Sequence, residues 1–297
     1  MHQLRQARPS SLRTVTCALA AAGFAALLAP ATAAEIATDP ADYVALPAGT
    51  DLGILYYQRA EYKAVYADGK RLAVPFHLVT DIGVARWVHY TKLGDYLVTP
   101  QVIIPFGKVD LRPQSASGVG DPIIGSALWL VNRPEERKWF TVSAFASLPL
   151  GKYDGAQGPI NLGENRWKGV LQSSYMTALS KNVMLDLVGE YALYGDNDDF
   201  VGLRRKQDAS YGGQVHLRYN LAPATALSLS YYHDFGGESK LNGVAQHDRM
   251  NNSRFLVGLT GFVSPTVQLQ LQAGKSLKVN NGVKESSRLN LRLVKVL

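Results

Sequence analysis

Arg288, Asn290 and Arg292 alternate with Leu289, Leu291 and Leu293 near the end of the chain. On a β-strand that spacing puts the polar side chains on one face and the leucines on the other. The same period recurs in VMLDLVGEYALY, where Asp186 and Glu190 oppose Leu185, Leu187 and Tyr191, and in VHLRY, where His216 and Arg218 oppose Leu217 and Tyr219. Arg254 and Lys284 extend the polar face, as do Arg59, Glu61 and Lys63 on the first strand. Rows of fixed charge on a face bias which ions and polar solutes pass or bind. They are therefore read as pore-lining candidates, either selecting solutes or closing a narrow lumen with salt bridges. Catalytic chemistry has thinner support. A hydrolase needs a Ser–His pair oriented by a third polar group. The best pair, His233 with Ser253, falls on the apolar face without a hydrolase motif around it. The histidines lack ligand-like spacing, and Asp196-Asn197-Asp198-Asp199 reads as a solvated acidic turn rather than a calcium loop. The glycines of Gly118-Val119-Gly120-Asp121-Pro122 lead into a strand rather than a helix, so they are read as shaping a loop and not as cradling a nucleotide. No enzyme activity, cofactor or metal is expected.

Such rows need strands that are polar on one side and apolar on the other. The chain supplies them from residue 51 onward, at 78–90, 96–106, 121–131, 139–150, 167–179, 183–194, 208–221, 225–235, 252–263, 267–279 and 283–296. Short turns at 91–95, 132–138, 180–182, 222–224 and 264–266 alternate with long connections at 67–77, 107–120, 151–166, 195–207 and 236–251. Outer-membrane barrels divide their periplasmic and extracellular ends in this way. The fold expected is all-β, a transmembrane antiparallel up-and-down β-barrel of about twelve strands, with both termini in the periplasm. A soluble β-sandwich or lipocalin-like barrel would also alternate, but it would bury the apolar face. Trp87, Tyr96, Trp139, Trp167, Tyr191 and Tyr231 lie near strand ends, where aromatic girdles form, with a few expected to point inward. The loop 151–166 could fold inward as a constriction; a mobile extracellular loop is the preferred reading.

Three parts follow. Residues 1–34 read as a cleaved signal peptide, with Arg5, Arg8 and Arg13, an apolar run from Val15 to Leu28, and cleavage after Ala33 or Ala34. Residues 35–50 are a short periplasmic lead in which Pro40 and Pro47 discourage regular structure. Residues 51–297 are the barrel. The one cysteine, Cys17, lies in the signal, so the mature chain has neither disulfides nor a thiol-based site. The net charge of +7 falls to +4 once the three signal arginines are gone. The remaining cations are spread over turns and the polar face, which argues against nucleic acid and for lipopolysaccharide or anionic solutes.

Three segments carry a resemblance. They are Leu46-Pro47-Ala48-Gly49-Thr50, followed after the first strand by Tyr66-Ala67-Asp68-Gly69-Lys70; Ser117-Gly118-Val119-Gly120-Asp121-Pro122; and Leu148-Pro149-Leu150-Gly151-Lys152-Tyr153-Asp154 with Asn161-Leu162-Gly163-Glu164-Asn165-Arg166-Trp167. Their order and spacing resemble the outer-membrane family named for the MetA pathway of phenol degradation. The chain departs from the usual barrel in ending on Leu297 rather than an aromatic residue. The resemblance implies a transport barrel near aromatic catabolism, located in the outer membrane of a Gram-negative bacterium. The expected function is passive uptake of small solutes, with aromatic or hydrophobic compounds implied by the resemblance. The alternatives are a structural or surface-binding barrel with a plugged lumen and a lipid-modifying hydrolase. The expected partners are outer-membrane lipid and lipopolysaccharide, the assembly machinery and the solute.

Overall fold

A computed structural model describes residues 36–297; the expected signal peptide lies outside the described residues. Twelve antiparallel strands close into a barrel: β1 (Asp51–Ala67), β2 (Leu78–His89), β3 (Tyr96–Leu111), β4 (Ile123–Arg133), β5 (Lys138–Ser147), β6 (Lys168–Ala178), β7 (Val183–Tyr194), β8 (Ser210–Ala222), β9 (Thr225–Gly236), β10 (Met250–Ser264), β11 (Val267–Lys278) and β12 (Gly282–Val296). Each strand pairs with the next in sequence, and β12 pairs with β1 from Leu52↔Val296 to Tyr66↔Gly282. Closure leaves no edge, so each backbone group at membrane depth has a partner on a neighbouring strand.

The alternation sorts the side chains as the sequence suggests. Leu171, Leu187, Leu217, Leu229, Val257, Leu271 and Leu291 are exposed on the outer wall. A band this wide would be a liability in water, and it suits hydrocarbon. Trp87, Tyr96 and Trp167 are also exposed, near the strand ends, whereas Tyr231 is exposed in the middle of β9. Trp139 points inward and is buried.

The long connections are built as well. β3 runs past its expected end and folds back as a hairpin with Gln114–Val119. The β7–β8 and β9–β10 connections share a small sheet of Asn197–Phe200, Leu203–Gln207, Ser239–Leu241 and Val244–Ala245, with Phe200 and Leu241 as its core.

The connection 151–166 folds inward over the lumen, contrary to the preferred reading of a mobile loop. Asp121 accepts the backbone N–H groups of Gly151 (2.8 Å) and Glu164 (2.7 Å). Ile160 is buried against Tyr62, Val65 and Val283 of the barrel. Gly120 is required here, because a Cβ on it would lie 2.7 Å from the Leu162 carbonyl oxygen.

Candidate functional site

Within the lead, residues 36–50 do not hang free. From Ile36 to Leu46 it lies inside the lumen, threaded in from the end where the short turns are, and it makes hydrogen bonds to strands all around the wall. The Ile36 N–H donates to Glu190 (3.2 Å), and the Ile36 carbonyl accepts from Gln172 and Gln214. The Thr38 N–H and hydroxyl both donate to Gln214 Oε1 at 2.9 Å, and the hydroxyl also meets His216 Nε2 at 2.9 Å. Tyr232 donates its hydroxyl proton to the Thr38 carbonyl. The Ala41 N–H donates to Asp186 (2.8 Å). Ala41 has a φ of 74°, in the left-handed region that an alanine resists, so the wall contact helps hold this turn. A lumen rich in polar side chains offers an extended segment what water would otherwise supply, which is partners for its backbone groups.

Charge anchors the middle of this plug. Arg86 of β2 (3.2 Å) and Arg292 of β12 (2.8 Å) both donate to Asp42. Asp39 lies 3.6 Å from the Arg292 guanidinium. Burial raises both carboxyls, but the two arginines outweigh it at Asp42 and hold that carboxyl below the ordinary range. At Asp39 burial wins over Arg292, and Asp42 adds to it, so Asp39 is pushed up to about 6.

Below the charges the lumen is packed with side chains. The Trp129 indole donates to the Tyr43 carbonyl (3.0 Å), and the Tyr43 hydroxyl donates to Gln172 (2.6 Å). Tyr90, Trp139, Met176 and Met184 complete an apolar core there.

Above the plug the lumen is hollow. A cavity of about 440 Å³ lies between Ile36–Asp39, the inward loop and the small sheet of the long connections. Ile82, Val84, Ile103, Ile123 and Leu162 form an apolar wall, while Arg254, Arg288, Arg166 and Arg205 bring guanidinium groups to it. Arg288 is paired with Glu285 at 2.7 Å, and Arg166 with Glu164 at 2.5 Å. Arg254 lies over the Tyr232 ring at 4.3 Å.

The sequence-derived candidates separate on this frame. Asp186, Glu190, His216, Arg254, Arg288 and Arg292 face the lumen, and Arg218 shares their parity beside Met184. Asp186, Glu190, His216 and Arg292 are occupied by the plug rather than lining open water.

Four candidates do not face the lumen. Arg59, Glu61 and Lys63 are on the outer wall, where Arg59 pairs with Asp81 (2.8 Å) and Lys63 with Glu61 (2.9 Å). The faces of β1 are the reverse of the expected ones: Ile54 and Tyr62 are buried inside, and Leu55 is exposed outside. Strand β1 outlasts the apolar band, since Arg59 sits opposite Leu289, where the outward leucines of β12 end, so its outer face turns charged. Lys284 also lies outside, over the Tyr66 ring. The β1–β12 register shifts between Glu61 and Ala64, and beyond it Val283 and Glu285 take the inward positions. A bulge reverses parity, which an unbroken alternation cannot show.

Asp196 and Asp198 pair with Arg204. The His233 ring meets the Tyr231 hydroxyl at 3.3 Å, and no hydrogen bond joins it to Ser253 among the described residues. The residues missed were Thr38, Asp39, Asp42 and Tyr43 of the plug, with Arg86 and Arg205. A signal existed for the first group, because two aspartates three apart precede a barrel whose inward face carries excess arginine.

Comparison with known proteins agrees with this architecture. The family described as "Putative MetA-pathway of phenol degradation" matches residues 63–293. The chain belongs to this family. An outer membrane channel from Pseudomonas putida F1 is 38% identical, with a TM-score of 0.83 over 88% of this chain and 100% of the other. A mutant of TodX, a monoaromatic hydrocarbon channel, shares the fold alone at 8% identity, with a TM-score of 0.50 over 87% of this chain and 92% of that one. No curated protein matches the chain at a significant level. The protein is an outer-membrane β-barrel of a Gram-negative bacterium.

Proposed function

We propose that this barrel is a passive channel for small solutes, in which solute collects in the upper lumen and passes when the segment 36–46 yields. The observation that carries the reading is the cavity of about 440 Å³ above the plug in a chain 38% identical to an outer membrane channel. The space suits one small organic molecule. Its apolar wall of Ile82, Val84, Ile103, Ile123 and Leu162, together with the phenol-degradation description of the family, supports aromatic or hydrophobic solutes. No chemical step is part of this reading, and the inward arginines act as fixed charges on the solute's route. Lipopolysaccharide at the outer leaflet and the assembly machinery are its further partners.

The dense bonding of the plug favours a second reading, a closed structural or surface-binding barrel. Single-channel conductance of the refolded full chain in planar bilayers, at two salt concentrations, separates the two. Discrete steps that scale with salt are expected for the channel. A folded barrel that stays silent, and remains silent when residues 36–46 are removed, supports the structural barrel.

A further inference from the structure

The strand Leu203–Gln207 carries two adjacent arginines with opposite surroundings. Arg204 is exposed and paired with Asp196 and Asp198. Arg205, on the other face, turns into the cavity above the plug. Its guanidinium lies 5.1 Å from the Phe200 ring centroid and donates to Gln207 Oε1 (3.2 Å) and Ser239 Oγ (3.3 Å). Both acceptors are neutral. No carboxylate lies within 4.0 Å of it among the described residues, although two are close by. Glu164 is already held by Arg166 and Lys168, both at 2.5 Å, and Asp248 accepts the Ser239 N–H at 2.7 Å. Burial, followed by the neighbouring Arg166 cation, pushes Arg205 down to about 10. Glu164 is thus taken up by Arg166 and Lys168, and Asp248 by the Ser239 N–H, so neither carboxylate is bonded to Arg205. A guanidinium sheltered in this way is a ready partner for an anion, and its fork of N–H groups matches the two oxygens of a carboxylate. The same cavity has apolar lining, with Ile82, Val84, Ile103, Ile123 and Leu162.

We propose that this cavity is a binding site for a small aromatic carboxylate, held through its carboxylate by Arg205 with its ring on the Ile103–Ile123–Leu162 side. The site depends on the channel reading for its place on a transport route, but not for its chemistry. Phenylalanine or leucine side chains alone would not tell a carboxylate from a neutral ring; the cation supplies that discrimination.

The test is calorimetry on the full chain in nanodiscs at neutral pH, with sodium benzoate and with benzamide, which has the same shape and no charge. Benzoate is expected to bind about tenfold to a hundredfold more tightly, the range of a charge-assisted hydrogen bond. Arg205→Gln should abolish the preference and leave benzamide binding unchanged. Arg205→Lys should keep part of the preference, and Arg204→Gln all of it. Equal binding of the two probes to the wild-type chain overturns the proposal. So does a preference that survives in Arg205→Gln with wild-type electrophoretic mobility before and after heating. Uptake into proteoliposomes addresses the channel separately. Benzoate that binds but never crosses supports the site and removes the channel; solutes that cross with no charge preference do the reverse.

Discussion

The two ends of the lumen share one wall and one alternation, yet they are built as different objects. The half at the short turns resembles the inside of a globular protein: Trp129, Tyr90, Met176 and Met184 pack around Tyr43, and the charges above them are paired with Asp42. The half at the long connections keeps about 440 Å³ of space beneath them. Strand number does not explain the difference, since twelve strands run through both halves. The difference is that the lower half receives eleven residues of chain, Ile36 to Leu46, that satisfy its polar groups and fill its volume, while the upper half receives only a cover. A barrel of this size is therefore closed or hollow according to what is laid inside it.

The sharpest way to break this contrast is to remove residues 36–46 while keeping what precedes them. The two halves should then become alike, with single-channel conductance rising several-fold. An unchanged conductance would mean that the wall, and not the plug, closes the lower half.

Next comes the charge anchor. Asp42→Asn leaves Arg86 and Arg292 buried without their shared carboxylate, which should weaken seating of the plug by about 3 kcal/mol. The expected readout is longer open times and faster proteolysis near residue 42. Trp129→Ala opens the packed floor and should cost the folded barrel about 3 kcal/mol, measured as a lower temperature for the heat-induced shift in electrophoretic mobility. An effect on conductance without loss of stability would place Trp129 in the gate rather than the core.

Asp39 gives a smaller effect of opposite sign. Because burial raises its carboxyl from 3.8 to about 6, the neutral form suits the seated plug, and its charge opposes seating once the pH passes about 6. Asp39→Asn should therefore tighten the plug at neutral pH, with the gain gone below pH 3.8, where the native side chain is already neutral in either state. Asp42 works the other way, and its contribution is lost as the pH falls through the acid range. Conductance measured against pH should fall on mild acidification and rise again on stronger acidification.

The smallest effect belongs to Arg59→Gln. On the outer wall, its loss should leave ion selectivity unchanged; a shift would contradict the face assignment of β1.

Much of this molecule is legible in its residues. The dyad period in VMLDLVGEYALY and in the last strand forces apolar and polar side chains to opposite faces. The alternation of short and long connections then dictates an up-and-down barrel, because no other closure satisfies the backbone in lipid. Asp186, Glu190, His216, Arg288 and Arg292 could be assigned to the inside on that period alone.

Tertiary structure decided the rest. The faces of β1 are set by where the strand leaves the apolar band, and Lys284 is turned out by a bulge between strands that are neighbours only because the barrel closes. The lead has no period to read, since the hydrogen bonds that residues 36–46 make to the wall reach residues from 44 to 250 positions away, in β2, β4 to β9 and β12. Arg204 and Arg205 are adjacent and chemically identical in the sequence; one is paired in water and the other is turned into a cavity, because a strand directs neighbouring side chains to opposite sides and only the assembled loops determine what each side faces.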